Sequence, residues 1–156
     1  MKNTYKKRAN SIFDHLHLSS SVEETEVIGS KFSNYLDDGS IVYILGDIGV
    51  GKSVFARSAI QSLPGGKDLI VRSPTFLYLF EYPTTPVVVH LDLYRLKEKT
   101  NLLDFGLEEW IKNKYVLFIE WPQHISSNLI IPNFTVEIKI QDNDKREIMI
   151  QRHNDR

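Results

Sequence analysis

Gly46-Asp-Ile-Gly-Val-Gly-Lys-Ser53 is the stretch that decides the fold of this chain. It matches the pattern G-x-x-x-x-G-K-[S/T] at every fixed position. The apolar, β-branched run from Ile41 to Leu45 precedes it, as in a strand buried on both faces. A stretch of helical character from Lys52 to Leu63 follows and ends at Pro64-Gly-Gly. A strand, a glycine-rich turn and a helix in this order predict a phosphate-binding loop in an α/β domain.

The residue types of this loop suit a nucleoside triphosphate. Glycines let successive backbone N–H groups curl around phosphate oxygens, and the following helix adds the positive end of its dipole. Lys52 is expected to reach the β- and γ-phosphates, and the Ser53 hydroxyl is expected to ligate Mg²⁺. Asn113-Lys-Tyr-Val116 lacks the aspartate of a guanine-reading motif, which favours ATP. We therefore predict ATP and Mg²⁺ as cofactors, bound by Gly46, Asp47, Ile48, Gly49, Val50, Gly51, Lys52 and Ser53.

Two acidic residues follow predicted strands. Asp92 comes after Val87-Val-Val-His-Leu91, and Glu120 comes after Tyr115-Val-Leu-Phe-Ile119. Ligands of open α/β sheets bind at the carboxyl ends of strands, and a P-loop ATPase needs a carboxylate there to hold the magnesium shell or position the attacking water. We predict both as catalytic and metal-binding residues. Spacing does not decide which one meets the metal, and one of them could instead cap a strand end or pair with Arg95.

Composition limits the classes of protein that this chain can represent. Its 156 residues are about the size of one domain, and 42% hydrophobic residues suffice for one core. Nineteen basic residues oppose twenty acidic ones, so the net charge of -1 gives no global field that would attract DNA, RNA or a membrane. Absence of cysteine excludes disulfides and thiolate chemistry. We expect a single cytoplasmic domain over residues 1–156, with no membrane or DNA partner.

Periodicity predicts the remaining elements. Ser21 and Glu24 have the form of a capping box at the start of an amphipathic helix. The expected fold class is α/β: a P-loop NTPase-like mixed sheet, with a parallel centre and antiparallel additions, flanked by helices. The elements expected outside the loop region are strands at 11–18, 77–81, 87–91 and 115–119, helices at 21–37 and 108–112, and a hairpin of 134–140 with 146–151.

Five separated segments, taken together, resemble one family. In this order and at this total length they are similar to the bacterial TsaE family, the ATPase subunit of tRNA threonylcarbamoyladenosine synthesis. A P-loop alone is common to many families, whereas its combination with the other four segments is far more specific. The segments are Gly46–Phe55, Arg72-Ser-Pro-Thr-Phe76, His90-Leu-Asp-Leu-Tyr-Arg-Leu96, Phe105-Gly-Leu-Glu-Glu109 and Ile119-Glu-Trp-Pro122.

The resemblance implies ATP hydrolysis within an assembly that places threonylcarbamoyl on the adenosine next to the anticodon, in tRNAs reading codons that begin with A. The implied partners are the transferase subunit (TsaD) and its paralogous partner (TsaB), and tRNA is reached through the complex. By position, Thr75 corresponds to a switch-like threonine, Asp92 to the acidic residue of H-x-D-x-Y-R, and Glu120 to the carboxylate near magnesium. Trp121 corresponds to an aromatic residue near the nucleotide. From the sequence alone, Thr75 could equally cap a proline turn.

Two other classes of function remain open at this point. A small-molecule kinase of similar size would need a lid, and the only candidate segment, 97–113, contains no arginine. A nucleotide-gated binding module would bind ATP with little turnover. The rate of hydrolysis, with and without partner proteins, separates these classes.

Overall fold

The computed structural model describes residues 11–74, 79–96, 99–126 and 130–153. Within these residues one seven-stranded sheet carries the fold, with the order β1-β7-β6-β2-β5-β4-β3. Its strands are β1 (Leu16–Ser19), β2 (Ile41–Leu45), β3 (Leu79–Tyr82), β4 (Val88–Asp92), β5 (Val116–Glu120), β6 (Phe134–Ile140) and β7 (Arg146–Arg152). The helices are α1 (Val22–Ser33), α2 (Lys52–Ser62) and α3 (Leu107–Lys112).

The sheet has the mixed architecture that the sequence predicts. Strands β6, β2, β5 and β4 run parallel to one another and form the centre. Antiparallel β7 and β1 extend one side, and antiparallel β3 extends the other. The fold class is therefore confirmed, and the hairpin of β6 and β7 is attached to the parallel centre through β6.

Side chains along β5 are all buried and alternate between the two faces of the sheet. Val116 and Phe118 belong to the apolar core that includes residues of α1 and α2, whereas Leu117 and Ile119 belong to the core that includes residues of α3. Because side chains alternate along a strand, Glu120 points to the same face as Phe118. The register of β4 against β5 places Asp92 on that face as well, which is the side covered by α2.

The first two predicted elements are shorter than expected. Residues 12–15 bend, because local hydrogen bonds join the His15 and His17 rings to the carbonyls of Phe13 and Ile12, and β1 begins only at Leu16. Helix α1 ends at Ser33, not at residue 37, because the N–H groups after it bond three residues back in turns.

The N-terminus of α1 carries the predicted cap in a modified form. The Ser21 hydroxyl accepts from the Glu24 N–H at 3.1 Å, as in a capping box. The Glu24 carboxylate, however, accepts from the N–H of Ser20, one residue before the cap, at 2.6 Å. Both side chains therefore satisfy backbone donors at the start of the helix.

Other bounds agree with the predictions to within one or two residues. Residues 77 and 78, predicted to begin the third strand, lie outside the described residues, and β3 is described from Leu79. Among the helices of the described ranges, none combines the length and apolar character needed to cross a membrane.

Candidate functional site

The glycine-rich loop between β2 and α2 depends on backbone conformations that favour glycine. Gly46, Gly49 and Gly51 have φ angles of 146°, 77° and 110°. A Cβ at position 46 would lie 2.5 Å from the Ile138 carbonyl oxygen and 2.7 Å from Val50 Cγ2. At positions 49 and 51 it would meet nothing within 4 Å. Gly46 is thus packed against β6, whereas the other two glycines stand in open space.

The N-terminus of α2 is suited to an anion. The Phe55 N–H donates to the Gly51 carbonyl at 3.1 Å, so the N–H groups of Lys52, Ser53 and Val54 precede the first bond of the helical pattern. Gly51 provides no side-chain cap, and the first turn contains no acidic residue. Unsatisfied N–H groups at the positive end of a helix dipole attract phosphate.

Lys52 lies folded back over the loop. Its Nζ donates to the carbonyl oxygens of Gly46 at 2.6 Å and Asp47 at 2.7 Å. Burial lowers the pKa of the ammonium, while the carboxylates of Glu120, Asp92 and Asp47 act in the opposite direction. The structure therefore brings together the lysine of the loop and both of the predicted strand-end carboxylates.

Asp92 and Glu120 are neighbours across two parallel strands. They are paired in the register of β4 and β5, which places their Cα atoms about 4.8 Å apart. Both are buried, with exposed fractions of 5% and 2%. Asp92 Oδ1 accepts from the Tyr94 N–H at 3.0 Å, so Asp92 does cap the end of its strand. Glu120 Oε1 accepts instead from the His90 ring Nε2 at 2.9 Å.

Trp121 adopts an unusual backbone conformation directly after Glu120. Its φ and ψ are 57° and 51°, the left-handed region, which costs a non-glycine residue about 1–2 kcal/mol. In this position the indole ring lies 4.8 Å from Lys52 Nζ and 4.9 Å from the Tyr94 ring centre. The strained backbone of Trp121 therefore places its indole ring against the lysine of the loop.

A cleft of about 500 Å³ opens in front of these groups. It is lined by Ile48, Gly49, Gly51, Lys52, Ser53, Val54, Ser73, Asp92, Tyr94, Arg95, Glu120 and Trp121. Gly46 and Asp47 line a smaller adjoining pocket with Trp121, and the side chain of Val50 is buried in the core. Thr75 lies outside the described residues, so its predicted role stays a prediction.

Two residues at the site are not identified as functional by the sequence. His90, which stands in the H-x-D-x-Y-R segment with no role assigned from the sequence, donates to Glu120. Arg146 of β7 donates from Nε to the Val50 carbonyl oxygen of the loop at 3.3 Å. No local signal connects Arg146 to the loop, because 96 positions separate the two residues.

The sheet order, the loop and its position beside α2 define an α/β protein with a P-loop NTPase-like fold. Residues 19–150 match the family model described as "Threonylcarbamoyl adenosine biosynthesis protein TsaE". The chain belongs to the TsaE family.

Known proteins support this family across most of the chain. A Rickettsia typhi protein is 35% identical over 89% of this chain and 96% of its own length. Its name is "tRNA threonylcarbamoyladenosine biosynthesis protein TsaE". The Bacillus subtilis protein of the same name is 32% identical over 81% of this chain and 78% of its own. The crystal structure of YdiB from Bacillus subtilis superposes with a TM-score of 0.73 at 26% identity, covering 90% of this chain and 86% of that one.

Proposed function

We propose that this chain binds and hydrolyses ATP with Mg²⁺, as an accessory protein of the assembly that installs threonylcarbamoyl on the adenosine next to the anticodon of tRNA. The observation that carries the proposal is the convergence of Lys52, Asp92 and Glu120 at the open side of the glycine loop. The names of the relatives support the tRNA-modification setting and do not favour the small-molecule kinase.

The residues present fit both cofactors. Open space at Gly49 and Gly51, together with the N–H groups that begin α2, suits phosphate oxygens. Ser53 and one or both carboxylates, Asp92 and Glu120, would hold Mg²⁺, a cation that combines one or two carboxylates with phosphate oxygens. The ion would neutralise charge on those oxygens.

Each side chain then has a distinct task. Lys52 would bind the β- and γ-phosphates in place of the two loop carbonyls that its Nζ contacts in this structure. Glu120 would orient the attacking water, and Asp92 would help Ser53 to hold the metal. Trp121 covers the phosphate side of the cleft beside Lys52. Thr75 would sense the γ-phosphate.

The proposal includes partners. The transferase subunit TsaD and its paralogous partner TsaB would stimulate hydrolysis, and tRNA would be contacted through them. This part rests on the family resemblance and on the net charge of -1, which is unusual for a protein that binds RNA by itself. The cytoplasm, where tRNA is modified, is the corresponding location.

The test is ATP hydrolysis by the pure protein with Mg²⁺, alone and with the cognate transferase subunits, with tRNA modification measured in the same tubes. We expect slow hydrolysis alone and faster hydrolysis with repeated tRNA turnover when the partners are present. ATP consumption that is independent of the partners and matched by phosphorylation of a small acceptor would indicate a kinase. Binding without hydrolysis under any condition would indicate the nucleotide-gated module.

Two substitutions test the roles proposed for Lys52 and Glu120. Lys52→Ala should abolish ATP binding, and Glu120→Ala should retain ATP and lose hydrolysis, both measured by equilibrium binding and phosphate release. Lys31→Ala, which removes an exposed lysine of α1, is the matched control for charge and should behave as the unchanged protein. Normal turnover by Glu120→Ala would show that the role assigned to Glu120 is wrong.

A further inference from the structure

His90 is a fully buried polar residue on the strand that ends at Asp92. Its exposed fraction is 0%, and it lies between the buried residues Val89 and Leu91. In the register of the sheet it stands opposite Phe118, so its side chain lies on the same face as Glu120. Its contact with Glu120 therefore crosses diagonally from β4 to β5.

The hydrogen bond between the two residues defines what His90 can do. A carboxylate only accepts, so the hydrogen in the 2.9 Å contact belongs to Nε2 of His90. The other ring nitrogen, Nδ1, is buried and has no hydrogen-bond partner among the described residues. The geometry therefore makes the Nε2–H of His90 the donor that holds Glu120.

An apolar residue would pack here without leaving a polar atom unsatisfied. The neighbouring positions of β4 are valine and leucine, and burial of the ring leaves Nδ1 unpaired. The histidine thus has a cost for the core that packing alone does not explain. What it adds is a donor to the one carboxylate to which we assign the attacking water.

Without this donor, the Glu120 carboxylate would have Lys52 as another partner of opposite charge. Its carboxylate interacts electrostatically with the Lys52 ammonium, yet the two do not form an ion pair among the described residues. A carboxylate released from His90 could rotate towards Lys52 and compete with phosphate for it. A fixed Glu120 keeps Lys52 available for the nucleotide.

We propose that His90 is a positioning residue for ATP hydrolysis: its Nε2–H holds Oε1 of Glu120 and leaves the other carboxylate oxygen for the cleft. This inference rests on the proposed function of Glu120. In this role His90 contacts neither the nucleotide nor the metal nor the attacking water.

The reach of an amide side chain provides a matched pair of variants. In His90→Gln the amide nitrogen can occupy the place of Nε2, whereas in His90→Asn it reaches only the place of Nδ1. With the partner subunits present, we expect His90→Gln to keep kcat within about threefold and His90→Asn to lose about 10–100-fold, the range typical of lost outer-shell partners. The Kd for ATP without Mg²⁺ should change less than about threefold in both.

Two further measurements test the role of His90 without relying only on the hydrolysis rates of His90→Gln and His90→Asn. Nitrogen NMR of the nucleotide-free protein should show a hydrogen on Nε2 of the His90 ring. The residual rate of Glu120→Gln, followed in a single turnover with excess protein, should not fall further when His90→Asn is added, because the effect of His90 passes through the carboxylate.

Different outcomes would overturn the role of His90 and the proposed ATPase function. If the unchanged protein neither binds nor hydrolyses ATP, the proposed function fails, and the NMR measurement still tests the bond between His90 and Glu120. If it hydrolyses ATP and His90→Asn does so equally well, only the positioning role is overturned. Equal losses in His90→Gln and His90→Asn, or a ring without a hydrogen on Nε2, would also overturn it. Should His90→Asn not fold, full activity of His90→Gln sustains the proposal and its inactivity ends it.

Discussion

Among single residues, Gly46 has the most constrained position in the loop. It combines a φ of 146° with close contacts to the Ile138 carbonyl and the Val50 side chain. Gly49 has a positive φ as well, but the space where its Cβ would stand is open. Alanine at each of the two positions therefore distinguishes the cost of the close contacts from the cost of the positive φ.

We expect Gly46→Ala to lower the free energy of unfolding by about 3 kcal/mol or more, since overpacking against a backbone carbonyl adds to the strain of the positive φ. Gly49→Ala should lower it by about 1–2 kcal/mol, the cost of the left-handed conformation alone. Urea unfolding of both variants measures the difference. Equal costs would show that the contact with Ile138 is unimportant.

The sequence predicts the residues of the site whose roles follow from local order. Lys52 and Ser53 are identified by the motif, and Asp92 and Glu120 by their positions after apolar runs. The contact between Glu120 and His90 is not predictable in this way, because it depends on which strands become neighbours and in which register. The left-handed backbone of Trp121 has no local signal either, since glycine or asparagine would be expected there.

At the scale of elements, the hairpin of β6 and β7 supports the loop. β6 pairs with β2 in parallel and brings the Ile138 carbonyl against Gly46, while Arg146 at the start of β7 bonds the carbonyl of Val50. Alternation of apolar residues predicts both strands of this hairpin. It does not predict that β6 joins the parallel centre, because a period of two identifies a strand without identifying its neighbour.

The hairpin should therefore affect nucleotide affinity. We expect Arg146→Met to weaken ATP binding about fivefold, corresponding to about 1 kcal/mol for one long hydrogen bond that orders the loop. Lys145→Met removes the same charge from the neighbouring, exposed position of the hairpin and should leave the affinity unchanged. Titration of a fluorescent ATP analogue measures both, and equal weakening would indicate a general charge effect instead of a contact with the loop.

At the scale of the whole molecule, the balance of charges limits what the chain can bind alone. The net charge of -1 lacks the excess of basic residues that gives non-specific affinity for a polyanion. Lys52 and Arg95 line the cleft, and Lys52 is buried beneath Trp121 and directed to the loop. The phosphate recognition that we propose is thus local and depends on the folded loop.

We expect the isolated protein to bind tRNA with a Kd weaker than about 10 µM near physiological salt, and to respond to added salt as if fewer than about two phosphates were neutralised. Filter binding over a range of salt concentrations measures both quantities. Transferase subunits assayed with and without the chain form the control, because a partner-mediated contact predicts tRNA binding that follows the subunits. Tight binding by the chain alone, with a slope of several phosphates, would place tRNA in direct contact with it and remove the physical argument for an accessory role.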